Sequence, residues 1–282
     1  MGQTIACANQ KGGVGKTTTV VNLATYLALA GERVLVIDLD PQGNATSGFG
    51  IERPLVERSV YGAMIGSASL AELIVATPVP GLDLVPASLA LAGAEVELAG
   101  LMARERRLST ALEELAGERD YVLIDCPPSL GLLTVNALTG ADAVLIPMQC
   151  EYYALEGLSQ LTATINLVRD HLNPDLAIKG VVLTMFDART NLATEVAAEV
   201  RRHLGSTVYK TVIPRSVRLS EAPSHGLPIA LYRPESKGAE AYRELAAEFL
   251  RRERRSAPPE SSGALAIAGT LPVTAGLATV DL

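Results

Sequence analysis

The stretch Lys11-Gly12-Gly13-Val14-Gly15-Lys16-Thr17-Thr18 decides how this 282-residue chain is built. It follows the run TIACAN (4–9), whose composition predicts a strand, and opens KTTTVVNLATYLALA (16–30), whose length and apolar content predict a helix. A loop this rich in glycine, set between a strand and a helix, lets backbone N–H groups point inward without obstruction by Cβ atoms, and the helix adds the positive end of its dipole. Such a loop cradles phosphate. Lys16 is placed to neutralise the outer phosphates of a nucleotide, and the Thr17 hydroxyl to ligate Mg2+.

Outward from the loop, short β-rich runs alternate with helical patterns. Strands are predicted over 33–38, 82–87, 121–125, 143–148, 179–186 and 208–213, and helices over 101–117, 151–172 and 189–204. Several strands are apolar throughout, as strands covered on both faces must be, and the helices are long enough to serve as crossovers. The fold class is therefore α/β, a mainly parallel twisted sheet flanked by helices with a phosphate loop after its first strand. One domain is expected over 1–255. Its last helix places Tyr242, Leu245, Ala246, Phe249 and Leu250 on one face and Arg243, Glu244 and Glu248 on the other. The closing RRERR (251–255) suits the negative end of a helix dipole. Residues 256–282, rich in Ala, Gly, Ser, Pro and Thr and almost uncharged, are expected to form a flexible tail.

Composition bounds the function. With 48% hydrophobic and 20% charged residues the chain is not disordered throughout, and its net charge of −7 makes it repel nucleic acid and anionic membranes as a whole. Contact with DNA must be local. The charge is segregated: residues 171–255 hold 14 Lys/Arg against 10 Asp/Glu, while the rest hold 10 against 21. Cys7, Cys126 and Cys150 lie in apolar runs without a C-x-x-C, which disfavours a disulfide framework and a zinc site. His171, His203 and His225 lack ligand spacing and are assigned structural or surface roles. A secretory signal is not predicted, Ala6 stands where myristoylation needs Ser or Thr, and no apolar run is long enough to span a bilayer. The expectation is a soluble, cytoplasmic protein.

Two acidic strand ends accompany the loop. Asp38 and Asp40 leave the second strand on the same side of the chain, before Pro41 and Gly43 turn it. Tyr121-Val122-Leu123-Ile124-Asp125, followed by Cys126-Pro127-Pro128-Ser129, is an apolar strand ending in a carboxylate, like a Walker B element. Beside Thr17, such a strand-end carboxylate orients and neutralises Mg2+, so Thr17 and Asp125 are expected metal-site residues.

The loop departs from the common phosphate-loop pattern, with Gln10 where glycine is usual and an additional lysine at position 11. K-G-G-V-G-K-T resembles the deviant Walker A motif of the ParA/MinD family of P-loop NTPases. The resemblance implies ATP and Mg2+ as cofactors, with ATP held between two protomers of a homodimer. It implies that Lys11 reaches the phosphates of nucleotide held by the other subunit, that Asp40 positions the attacking water and that Asp38 supports the Mg2+ region. Lys11, Lys16 and Asp40 are thus the implied catalytic residues. Lys11, Gly12, Gly13, Val14, Gly15, Lys16, Thr17 and Thr18 are the implied nucleotide-binding residues, with Pro214 and Ser216 beside the adenine. Ser216 stands where the family often has Asn.

LDPQGNATSG (39–48), LIDCPPSLGLLTVNAL (123–138), QCEYYALEGLSQL (149–161) and IPRSVRLSEAPSHG (213–226) are similar to the chromosomal ParA, or Soj, branch, a likeness running from about residue 3 to 250. That branch implies non-specific DNA binding by the ATP dimer, a ParB-like centromere-binding partner that stimulates hydrolysis, and nucleoid association. Arg189 and Arg218 match positions that the branch uses for DNA phosphates, contacts suited to an arginine fork. The alternative is a MinD-like membrane-cycling ATPase. That type ends in a basic amphipathic helix, whereas this chain ends in a nearly neutral, Pro-containing stretch, so stable membrane insertion is not expected. Ten residues before the loop leave no room for a helix-turn-helix domain, so operator-specific binding is not expected either.

Overall fold

The computed structural model describes residues 2–115, 119–151 and 154–256; of the stretch 256–282 expected as a tail, Ser256 instead closes the last helix and 257–282 lie outside the described residues. The strands are β1 (Gln3–Cys7), β2 (Val34–Asp38), β3 (Val75–Ala76), β4 (Leu82–Val85), β5 (Tyr121–Asp125), β6 (Ala143–Gln149), β7 (Ala177–Phe186) and β8 (Val208–Pro214). They form one sheet in the order β3-β4-β2-β5-β1-β6-β7-β8, parallel except for the short β3 at one edge. The helices are α1 (Lys16–Leu29), α2 (Asn44–Gly48), α3 (Val60–Ile65), α4 (Leu91–Leu98), α5 (Arg107–Glu113), α6 (Leu132–Gly140), α7 (Ala154–His171), α8 (Asn191–Leu204), α9 (Val217–Glu221), α10 (Ile229–Tyr232) and α11 (Lys237–Ser256).

Strand residues divide by parity between two cores, which is why the strands are apolar throughout. Leu35, Ile37, Val122, Ile124, Val144 and Ile146 face one core with Met64, Leu91, Leu108, Leu133 and Leu161 from α3 to α7. Ile5, Val34, Val36, Leu123 and Leu145 face the other with Leu23 and Leu27 of α1, and Tyr242 and Phe249 of α11. Phe249 is fully buried, its ring edge-on to Tyr121 at 5.3 Å. Truncation to alanine there would cost about 3–5 kcal/mol.

The expected helix over 101–117 is not continuous. Ala103 has φ 51 and a tight turn covers Arg104–Arg106, so the regular helix begins only at Arg107. Its lost length is replaced by α4, which the sequence pattern did not reveal. The first strand stops at Cys7 rather than at residue 9, because the chain leaves the ladder there to form the loop. Glu248, expected on the polar face of the last helix, is buried. It accepts the backbone N–H groups of Lys210 and Thr211, each at 2.9 Å, where the β7–β8 register shifts.

One feature of the sheet positions the site. The register pairs Cys7 with Asp125 and Asp38 with Asp125, so β1, β5 and β2 end side by side at the carboxyl edge. The glycine loop and both acidic strand ends therefore converge where open parallel sheets collect ligands.

Candidate functional site

Gly13 and Gly15 have φ of 72 and 86. A methyl at Gly13 would meet nothing within 4 Å and one at Gly15 only Thr184, at 3.8 Å. The left-handed backbone, not crowding, therefore requires glycine there. Gly15 caps α1, whose N-terminus has no side-chain cap and no acidic residue in its first turn. Its N–H donors and dipole are left for an external anion. Lys16 is only 6% exposed, with Nζ donating to the Lys11 carbonyl at 3.1 Å. The loop is pinned from neighbouring strands: Thr184 Oγ1 donates to the Val14 carbonyl at 2.7 Å, and Asn9 Nδ2 to the Pro147 carbonyl at 2.7 Å. Asn9 Oδ1 also accepts the Lys11 N–H at 3.0 Å.

The two register-paired carboxylates differ sharply. Asp38 is fully buried and satisfied, accepting the Thr46 N–H at 2.8 Å, the Thr46 hydroxyl at 2.7 Å and the Asp40 N–H at 3.2 Å. Burial pushes its carboxyl up to about 6, against these hydrogen bonds. Asp125 is equally buried, yet neither carboxylate oxygen accepts a hydrogen bond of good geometry among the described residues. Burial and the neighbouring Asp38 push it well above the ordinary range, while the nearby Thr17 hydroxyl and Lys16 pull it back only partly. An ionised carboxylate left without partners is costly, and a cation beside it would offset that cost. Asp40 turns the segment after β2, its Oδ1 accepting the Gln42 N–H at 2.9 Å.

Thr17 and Asp125 offer the hard oxygen donors that suit Mg2+. No group of three or more His, Cys, Asp or Glu among the described residues could hold a metal by itself.

A cavity of about 450 Å3, a volume in the range of small-molecule sites, lies against the loop, while the fully buried Asp38 and Asp125 do not line it. Gly12, Gly13, Gly15, Lys16, Thr17, Thr18 and Asp40 line one side, and Pro214 and Ser216 the other. Val14 is buried beneath the loop. Lys11 does not line the cavity; its ammonium pairs with Glu151 of the same chain. The wall also includes Thr184, Met185 and Tyr242, which sequence reasoning missed. Thr184 could have been found as the polar residue inside the apolar run VVLTMF, and Asn9 as the amide closing TIACAN. Nothing in the sequence marks Met185, whose φ of 47 is unusual for a residue with a side chain.

Arg189 and Arg218 lie outside this cavity. They follow the paired ends of β7 and β8, where Phe186 and Pro214 are in register, so both arginines leave one corner of the sheet. Arg189 has 87% of its side chain exposed and forks onto Asp187 at 2.8 and 2.7 Å; Arg218 pairs with Glu221 at 2.7 Å. Within the basic RRERR run, Arg252 turns inward to Glu248 and to the Ser206 and Val208 carbonyls. The three cysteines are buried and free. His203 pairs with Glu199, and His225 stacks on Tyr232. No helix among the described residues is long and apolar enough to cross a membrane.

Residues 2–178 match the family described as AAA domain. The sporulation initiation inhibitor protein Soj of Bacillus subtilis is 61% identical over 248 residues, covering 88% of this chain and 98% of that protein. The chromosome partitioning protein ParA of Myxococcus xanthus is 54% identical over 258 residues, covering 92% of this chain and 91% of that one. Among solved structures, cobyrinic acid a,c-diamide synthase from Mycobacterium smegmatis with bound ATP analog and magnesium superposes with a TM-score of 0.79 at 40% identity, covering 90% of this chain and 96% of the other.

Proposed function

The chain belongs to the ParA/Soj family of chromosome-partitioning ATPases, and from that premise we propose a Mg2+-dependent ATP cycle that governs hold on DNA. In this cycle the chain binds ATP in the cavity at the carboxyl edge and pairs with a second copy around the nucleotide. The pair holds DNA without sequence preference, and a ParB-like partner stimulates the hydrolysis that separates it. The cycle would run in the cytoplasm, on the nucleoid.

The observation that carries the reading is a double mismatch at one place. The α1 N-terminus presents N–H donors without a side-chain cap, and Asp125 presents two buried oxygens that accept no hydrogen bond of good geometry among the described residues. The first asks for an anion and the second for a cation, and a magnesium nucleotide supplies both. Lys16 and the loop N–H groups would hold the phosphates, Thr17 and Asp125 the metal, and Pro214 and Ser216 would border the adenine. Bound Mg2+ would neutralise phosphate charge. Asp38, through Thr46 and the Asp40 N–H, fixes the segment on which Asp40 orients water. Hydrolysis of this kind relies on positioning and charge neutralisation rather than on a covalent nucleophile. Lys11, directed away from its own cavity, is free to exchange Glu151 for the phosphates of the second copy. Arg189 and Arg218 would exchange their carboxylates for DNA phosphates.

Sedimentation and turnover assays test these roles together. Lys11→Ala should bind ATP but remain monomeric, and Asp40→Ala should dimerise with ATP but hydrolyse it poorly. Normal turnover by Asp40→Ala would remove the water-positioning role.

A further inference from the structure

At the opposite, amino edge of the sheet, where β6, β7 and β8 begin, lies a groove of about 890 Å3 that shares no residue with the nucleotide cavity. We propose that this groove is a second binding site, for a small anion carrying several negative charges, of the oligophosphate class.

Its charge is unbalanced in a particular way. Both of its acids are engaged internally: Glu253 with Lys179, and Glu248 with Arg252, with the Thr211 hydroxyl and with two backbone N–H groups. Three further cations, Arg201, Lys210 and Arg251, line the groove and make no ion pair among the described residues. In a chain with a net charge of −7, this concave surface carries a local excess of three positive charges.

Tyr209 supplies an independent observation. It lines the groove with 0% exposure, and its hydroxyl has no hydrogen-bond partner among the described residues. The ring is clamped. Arg252 lies 3.9 Å from its centroid, and on Gly180, where φ is 154, a methyl would sit 2.6 Å from the Tyr209 ring and 2.8 Å from the Thr207 carbonyl. Phenylalanine would fill the same space without stranding a polar group, and stranding one is unfavourable. A hydroxyl held so firmly and left unmatched, in a groove that three unpaired cations also line, is a donor in wait of an anionic acceptor. A recessed hydroxyl suits a compact ligand; the convex backbone of duplex DNA would meet the exposed arginines first.

The test is calorimetric titration of inorganic pyrophosphate into the full chain with its phosphate loop saturated by ADP. Saturable one-to-one binding is expected. Arg201→Ala with Lys210→Ala should weaken it about tenfold or more without altering ADP affinity. Tyr209→Phe should melt no lower than the parent without pyrophosphate, and bind it about threefold more weakly. Absence of saturable binding, equal affinity in the double variant, or a lower melting temperature for Tyr209→Phe without ligand would each overturn the proposal. So would duplex DNA binding that the double variant abolishes while pyrophosphate fails to bind, which would make the groove a nucleic-acid contact.

Discussion

Two buried carboxylates at opposite edges of the one sheet, Glu248 and Asp125, are treated in opposite ways. At the amino edge Glu248 accepts from Lys210, Thr211 and Arg252; burial works to raise its carboxyl, but those hydrogen bonds prevail and hold it below the ordinary range. At the carboxyl edge Asp125 has no such partners and is driven upward by burial and by Asp38. Glu248 is part of the fold's own hydrogen bonding, filling the irregular β7–β8 pairing. Asp125 is a defect in that bonding, one that the proposed magnesium nucleotide would complete. A carboxylate held by hydrogen bonds from strand and helix, as Glu248 is, belongs to the architecture, and a buried one whose oxygens accept none of good geometry among the described residues, as with Asp125, marks a candidate site.

That contrast can be broken in four places. The largest effect is expected from Lys16→Ala, which should weaken ATP binding at least about a hundredfold in calorimetry while the nucleotide-free fold survives. Glu248→Ala should lower unfolding free energy by about 3 kcal/mol in urea, since it strands Arg252 and two backbone N–H groups, yet leave ATP affinity unchanged. A loss of ATP affinity in that variant would mean the edges are not independent.

Asp125→Asn should do the reverse, stabilising the nucleotide-free chain by about 1–2 kcal/mol at neutral pH while suppressing ATP turnover. The gain should shrink in acid. A carboxyl raised by burial adds stability that is complete below its unfolded value and lost as pH rises through its folded one; for Asp38 this window runs from 3.8 to about 6. Unfolding the nucleotide-free parent and Asp125→Asn at pH 5 and 7 checks the sign, and a gain that grows in acid would contradict it. The smallest effect concerns the exposed corner. Arg189→Glu and Arg218→Glu should each weaken DNA association and lower the salt slope by about one, with ATP-driven dimerisation intact. Unchanged DNA affinity in both would move the DNA face elsewhere.

Much of the carboxyl edge was legible in the sequence because its parts are local. Gly13 and Gly15 are needed for backbone conformation, and Lys16 and Thr17 follow at fixed spacing. Asp38 and Asp125 end apolar strands, so a parallel sheet had to bring them together. What escaped were contacts between distant segments. Thr184 holds the Val14 carbonyl 170 residues away, and Thr46 saturates Asp38 through a loop whose path no periodicity reveals. The amino edge was misread at Glu248, because helical periodicity places a charged residue toward solvent unless a strand edge with unmatched N–H groups lies beside it. The expected helix over 101–117 failed for a related reason, since Ala103 adopts a left-handed backbone that its residue type does not announce.

In the proposed cycle a magnesium nucleotide completes the carboxyl edge and so governs the hold on DNA. The most direct measurement is binding of the full chain to random-sequence duplex DNA with ATP, with ADP and without nucleotide, at two salt concentrations, beside Lys16→Ala. The account predicts salt-sensitive binding with ATP alone, lost in Lys16→Ala. Equal binding in all nucleotide states would contradict it, and no binding in any state despite intact ATP dimerisation would favour the membrane-cycling alternative.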